Sequence, residues 1–343
     1  MKRAVCVTSI VAGIGLLGVV PGAVAILGTG CRRAHEANAT AEVTTTPRPE
    51  AGNAAGSAAR PAATSAAPIS LLPRPLLWAV EKDGTTSYFL GTMHVGIDPE
   101  RLPPGVWDKL HAAATFAMEA DLDDPAAAAL LRPTEGSLHD QLGDDYWKKL
   151  EAAMGPSVAR SLDHVPPMIP AAALSLRGLP QTTPMDKALA ARAGELGKPI
   201  VFLEPASRQL AILGKWMNVK ALKMMLDELP QEEQHARAML DAYVDGDEAR
   251  LVELGDREKQ EALRHGYTAA EYDQEMSEML YDRNASWLDA LEKLHAAGGG
   301  FVAVGALHLV GPRSVLALLA GKGYRVTRLG PPATSAPDPQ LRR

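Results

Sequence analysis

Two short apolar runs, Leu77 to Lys82 and Thr86 to Gly91, are separated by Asp83-Gly84. Asp-Gly between apolar runs is a strong hairpin signal, because the turn that suits twisted strands needs positive φ at both central residues. Gly105 to about Ala114 reads as a helix. Thr115-Phe116-Ala117-Met118-Glu119 then reads as a short buried strand ending in a carboxylate. From Asp144 the text is mostly helical, interrupted by proline pairs such as Pro166-Pro167. A helix from about Pro184 to Leu196 closes at Gly197, and Pro199-Ile200-Val201-Phe202-Leu203-Glu204 is another apolar run ending in Glu, a helix–strand unit with glycine near the helix end. Ala206 to about Ala297 reads as helical throughout. The chain closes with a strand from Gly300 to Gly305, a helix from Pro312 to Ala320 with proline in its first turn, and a strand from Tyr324 to Leu329. Strands at both ends with helices between them predict an α/β fold: a mixed β-sheet core with flanking helices and a large central helical insertion. No repeat of solenoid period is present.

The flanks change where this fold is expected to work. Lys2 and Arg3 precede an uncharged stretch that runs to Gly30, the layout of a secretory n-region and h-region. Ala23-Val24-Ala25 offers one cleavage site. Cys31 offers a lipoprotein alternative, with Gly28-Thr29-Gly30 before it and Leu27 one position early for the usual pattern. An uncleaved anchor is the third reading, since the run reaches the roughly 20 residues a membrane-spanning helix needs. Residues 1–31 are thus read as a signal peptide or lipoprotein leader. All three readings put the rest outside the cytoplasm: in the periplasm or cell envelope, lipid-anchored at the outer membrane, or secreted. Residues 32–70, rich in Ala, Thr, Pro, Ser and Gly, lack the large apolar side chains that offset ordering entropy and read as a disordered tether, with 331–343 as a shorter tail of the same kind. One domain over 71–330 remains. The only cysteines are Cys6 and Cys31, so that domain has no disulfide and depends on its core. With a formal net charge of −6 and no basic run, nucleic acid is not expected as a partner. The membrane is, through the leader or a lipid at Cys31.

Candidate chemistry begins with an echo. Gly91-Thr92-Met93-His94 and Gly305-Ala306-Leu307-His308 each follow an apolar run. With 9 His and 30 Gly in the chain, about one Gly-x-x-His match arises by chance, and there are three. The third, Gly136-Ser137-Leu138-His139, follows the polar Pro133-Thr134-Glu135 and reads as accidental, so context rather than spacing separates the other two. A glycine pattern at Gly13-Ile14-Gly15-Leu16-Leu17-Gly18 lies in the leader with no strand before it and is rejected as a dinucleotide site. There is no Walker loop, no Gly-x-Ser-x-Gly elbow and no His-Glu-x-x-His.

Two strand-end histidines and one carboxylate would hold a divalent ion and leave positions open for water and substrate. Glu119 and Glu204 also stand at strand ends, where α/β sheets form their functional crevice; the plain reading of each from position alone is a surface residue just past a strand. Glu271 to His295 reads as one long helix whose apolar stripe includes Met276, Met279, Leu280, Trp287 and Leu291. Arg283 falls on that stripe, four after Met279 and four before Trp287, and Asn284 on its edge. A core-facing guanidinium needs a carboxylate partner, the plain structural reading, or a substrate oxyanion, the functional one.

Taken in order, these pieces resemble the TraB/GumN family, which includes the Tiki metalloproteases. The resemblance covers nearly all of Leu76 to Leu329. It rests on Phe89 to Gly96, on Met118-Glu119-Ala120-Asp121, and on Asp186 with Ala193, Gly197-Lys198-Pro199, Leu203-Glu204 and Gln209. Arg283-Asn284, Val304 to Gly311 (with Val310 off the pattern) and Gly323-Tyr324 complete it. It implies a fold related to erythromycin esterase and the ChaN haem-binding lipoproteins. For Tiki members it implies metal-dependent peptide hydrolysis with Mn or Co favoured. Carried onto this chain, His94, His308 and Glu119 are the implied metal ligands, for Mn, Co or Zn, and Arg283 and Asn284 line the site. The expected function is an extracytoplasmic metal-dependent hydrolase acting on a peptide or protein. Its metal activates water, Glu204 accepts the proton and Arg283 stabilises the oxyanion. The ChaN likeness supplies the alternative, a lipoprotein that binds haem, iron or a small ligand without catalysis. A non-catalytic interaction protein on the same fold is a third reading.

Overall fold

The structure, a computed structural model, describes residues 69–121, 124–264 and 266–331. The leader, Cys31 and nearly all of the tether and tail lie outside these residues. No helix among the described residues is long and apolar enough to cross a membrane.

Among the described residues, six strands form one mixed sheet: β1 (Leu77–Lys82), β2 (Thr85–Thr92), β3 (Phe116–Met118), β4 (Ile200–Phe202), β5 (Phe301–Gly305) and β6 (Arg325–Arg328), in the order β4-β3-β5-β2-β1-β6. The hairpin is where Asp-Gly predicts it: Asp83 has φ 52° and Gly84 φ 78°, and β1 pairs antiparallel with β2 from Lys82↔Thr85 to Leu77↔Leu90. β6 adds antiparallel to β1. β2, β5, β3 and β4 are mutually parallel, in register through Thr92↔Gly305, Met118↔Ala303 and Met118↔Phe202. β5 is buried along its whole length, as an unbroken apolar run in the middle of a parallel set should be. β4 is an edge strand, and its Phe202 is exposed.

Among the described residues, fourteen helices surround or extend from the sheet: α1 (Pro104–Ala112), α2 (Pro125–Leu130), α3 (Leu138–Leu142), α4 (Asp144–Met154), α5 (Pro156–Ser161), α6 (Met168–Ser175), α7 (Met185–Glu195), α8 (Ala206–Trp216), α9 (Val219–Asp227), α10 (Leu229–Asp245), α11 (Glu248–Arg264), α12 (Ala269–Met276), α13 (Asp282–Ala296) and α14 (Val315–Gly321). The fold is therefore the α/β arrangement expected, with the insertion as its largest part. One apolar core surrounds the sheet, from Leu72 and Leu76 to Tyr324. A second core is helical, gathers side chains from Ala120 to Leu229, and is met by Met279 from the far end of the chain.

Two details depart from the sequence reading. The helix expected from Glu271 to His295 is broken by a π-helical turn, Ser277–Tyr281, between α12 and α13. A π-turn inserts one residue into the α-helical phase, and such turns concentrate at functional sites. The last helix does not begin at Pro312: it starts at Val315, capped by Ser314 Oγ, which accepts from Ala317 N. The preceding turn is held elsewhere, because the Arg313 carbonyl accepts a hydrogen bond from Asn284 Nδ2 at 2.9 Å.

Candidate active site

The four parallel strands end at one edge of the sheet, and each delivers a polar residue just past its carboxyl end. His94 follows β2, Glu119 follows β3, Glu204 follows β4, and His308 closes the 3-10 turn Ala306–His308 after β5. Gly91 lets β2 and that turn approach closely: a Cβ there would stand 3.1 Å from both Ala306 Cα and Leu76 Cβ. All four polar side chains are buried, as are Arg283 and Asn284 from the start of α13.

Each histidine has its tautomer set by a neighbour. His94 Nδ1 makes a very short contact with Asp186 Oδ2, while Thr92 Oγ1 donates to Asp186 Oδ1 at 2.8 Å. A carboxylate only accepts, so Nδ1 carries the proton and Nε2 points the other way. That Nε2 is buried and has no hydrogen-bond partner. His308 Nδ1 lies 2.5 Å from Asn284 Oδ1. The Asn284 amide cannot be flipped, because its Nδ2 donates to the Arg313 carbonyl; Oδ1 is then the acceptor and His308 Nδ1 the donor. His308 Nε2 is left with its lone pair, facing Arg283 Nη1 at 3.3 Å. The Trp287 ring packs against the imidazole, with centroids 4.5 Å apart.

Arg283 ties the acidic half together. Nε donates to Glu204 Oε1 at 2.7 Å, Nη2 to Glu119 Oε2 at 2.6 Å, and Nη1 to the Met279 carbonyl of the π-turn at 2.9 Å. Nη2 also lies 2.6 Å from Glu204 Oε1. Every N–H of the guanidinium faces an acceptor inside the cluster, so none is left for a substrate oxyanion. The structural ion pair is the role this geometry supports, and the oxyanion role read from the sequence is not met in it. Glu119 accepts further from Gln209 Nε2 at 3.0 Å and from the Gly305 N–H at 2.7 Å.

The electrostatics separate the two carboxylates and the two imidazoles. Burial works against the ionisation of Glu119, but His308, Arg283, His94 and the Gly305 N–H outweigh it and hold its carboxyl at about 2. Burial raises Glu204 above the usual carboxylate range, more than Arg283 can offset, and its Oε2 has no hydrogen-bond partner, with Arg208 Nη1 at 3.7 Å. Burial likewise pushes His308 down to about 3, with Arg283 adding to the effect, so the ring is neutral. Burial opposes the charged form of His94 too, yet Asp186 overrides it and raises His94 above its ordinary value.

The donor set matches in part the divalent ion that the sequence implies. Two ligand atoms each about 2.1 Å from one ion at a tetrahedral angle stand about 3.4 Å apart. His308 Nε2 and Glu119 Oε1 are 3.7 Å apart, which fits. His94 contributes an unpartnered Nε2 backed by a carboxylate, the arrangement that orients metal-binding imidazoles. Among the described residues, no three His, Cys, Asp or Glu side chains already converge as a ligand group. Two ligands therefore stand at the right separation, and the third has the right chemistry without the final closure.

All six residues singled out from the sequence fall in this cluster. Two more complete it: Asp186, in the first turn of α7, and Gln209, on α8. Both belong to the motif block that carried the family resemblance, which was their one sequence signal. The decoy His139 lies on the short helix α3, its side chain 40% exposed, stacked on Trp147 and paired with Asp144. No curated protein and no solved structure matches the chain. The TraB/PrgY/gumN family matches residues 76–328, covering the sheet, the insertion and every residue of the cluster. The chain belongs to the TraB/PrgY/gumN family.

Proposed function

We propose that this chain is an extracytoplasmic metal-dependent hydrolase acting on peptide bonds, with the cluster at the sheet edge as its active site. The observation that carries the reading is the pair of strand-end histidines, each with Nδ1 engaged by an orienting neighbour: His94 Nε2 is unpartnered, and His308 Nε2 faces only Arg283 Nη1 at 3.3 Å, a contact that a bound ion would displace. His94 and His308 would hold a divalent ion, Mn, Co or Zn, together with Glu119, whose low pKa keeps it an anionic ligand. Such an ion supplies a bound water acidic enough to act near neutral pH.

The remaining roles follow from the chain's own groups. Glu204, raised by burial and with Oε2 unpartnered, is suited to take the proton of the attacking water and return it to the leaving amine. Arg283 is a positioning residue: it bridges Glu119 and Glu204, and its Nη1 contact with His308 Nε2 would give way to a bound ion. Asp186 and Asn284 orient the two imidazoles, and Gln209 and the Gly305 N–H hold Glu119. The leader supports work outside the cytoplasm.

The test is hydrolysis of a diverse peptide mixture by the purified chain after chelation and after readdition of Mn, Co or Zn. Metal-restored cleavage that is lost in Glu204→Gln supports the reading. Cleavage indifferent to chelator, or no cleavage with any of the three ions, contradicts it. A Soret band on haem titration that disappears in His94→Ala would favour the binding-protein alternative instead.

A further inference from the structure

We propose that a cavity beside the cluster takes a large apolar side chain of the substrate, adjacent to the bond that is cut. This rests on the hydrolase reading and narrows its substrate class to peptides with Leu, Met or Phe at that position. The cavity is about 290 Å³ and opens between α11, α12, the π-turn and the loop before α14.

Its walls are the outer faces of the segments that build the active site. Leu307 lines it and immediately precedes His308 in the same 3-10 turn; Val310 and Gly311 follow. Leu280 and Tyr281 of the π-turn line it and lead directly into Arg283. Arg313 lines it, and the Arg313 carbonyl is the partner that orients Asn284. Leu307 and His308 are consecutive, with Cα atoms about 3.8 Å apart, so the cavity wall and the cluster share one 3-10 turn. His94, His308 and Arg283 are themselves closed off, at 5%, 2% and 1% exposure, so recognition has to take place at a neighbouring opening.

Chemistry and size select the occupant. The floor is Met239, Leu251, Met276, Leu280 and Leu307, which rewards apolar surface and penalises a buried charge. The rim is balanced: Lys259 Nζ pairs with Asp273 Oδ1 at 2.6 Å, and Asp256 and Arg313 add one charge of each sign, the Arg313 guanidinium lying 3.4 Å from the Tyr281 ring centroid. A balanced rim gives no preference for a charged residue. Small-molecule sites span about 300–1,000 Å³, so this volume suits one side chain with its adjoining main chain. Among the described residues no histidine lines the cavity, so a haem seated there would find no imidazole ligand among them.

The experiment separates this inference from the hydrolase reading. N-acetyl-leucinamide, N-acetyl-phenylalaninamide and N-acetyl-alaninamide are titrated into the metal-free full chain by NMR, so no turnover is required. The Leu and Phe amides should bind at least tenfold more tightly than the Ala amide. Val252→Trp, on α11, fills the cavity and should abolish that preference, and the milder Val252→Phe should reduce it, each variant being checked for cooperative unfolding. Equal binding of the three amides, or a preference that survives in a folded Val252→Trp chain, overturns the proposal. If instead the hydrolase reading is wrong, the preference persists while metal-loaded chain cuts nothing.

Discussion

Asp186→Asn isolates the electrostatic part of the His94 contact. The side chain keeps its shape: an amide oxygen can still accept from His94 Nδ1, and the amide nitrogen can donate to Thr92 Oγ1, which turns from donor to acceptor. What is lost is the charge. Partners that orient metal-binding imidazoles are worth about 10–100-fold in metal affinity, or roughly 1.4–2.7 kcal/mol. Isothermal titration with Zn or Mn at pH 8 should therefore show affinity falling within that range. The metal-free chain gives a second readout. Asp186 raises His94 above its ordinary 6.5 despite burial, so folding takes up a proton. That stabilisation is complete below pH 6.5 and disappears as pH rises through the folded-state value. A hydrogen bond to a charged group contributes about 1.5–3 kcal/mol, so Asp186→Asn should cost about that much at pH 5.5 and less at pH 8.5, read from urea denaturation at both. Unchanged metal affinity, or a stability loss that grows with pH, refutes the reasoning.

Other perturbations address the rest of the cluster. Arg283→Met removes the cation between two buried carboxylates and should cost about 3–5 kcal/mol, lessened if Glu204 takes up a proton, as measured by denaturant midpoint. Asn284→Asp places a carboxylate on His308 Nδ1 and should move that imidazole up from about 3 in an NMR titration; an unmoved ring refutes the assigned contact. Gly299→Ala should destabilise far more than Gly84→Ala. Both have positive φ, but a Cβ at 299 would meet the Thr86 carbonyl oxygen at 2.3 Å, whereas one at 84 meets nothing within 4 Å and adds only about 1–2 kcal/mol of strain. Comparable melting temperatures for the two variants would contradict this.

Most of the architecture was legible where local chemistry and global fold agree. Asp83-Gly84 permits few turns, so the hairpin followed from it. The strand-end histidines and carboxylates were legible because apolar runs of strand length stopped at them, and the same test set aside Gly136 to His139. Burial of Arg283 followed from helical periodicity. Other features carry no such local mark. An acid in a first helical turn is ordinary complementation of the helix dipole, so the sequence around Asp186 does not reveal that it orients His94. The π-turn was hidden because its residues are compatible with an α-helix; only the full packing, with Met279 in the helical core and its carbonyl on Arg283, selects the extra residue. Pro312 suggested a helix start, but the Arg313 carbonyl is held by Asn284, and Ser314 supplies the cap one turn later. The Asp186–His94 and Asn284–Arg313 contacts join residues far apart in the chain, and a window along the sequence does not contain them.

Metal stoichiometry of the purified chain, wild type beside His94→Ala/His308→Ala, tests the central claim most directly. Both proteins are checked for cooperative unfolding and analysed after dialysis against Mn, Co and Zn. The account predicts one ion per wild-type chain and loss of that ion in the double variant. Wild-type chain that takes up none of the three ions, or a folded double variant that binds as the wild type does, would contradict it.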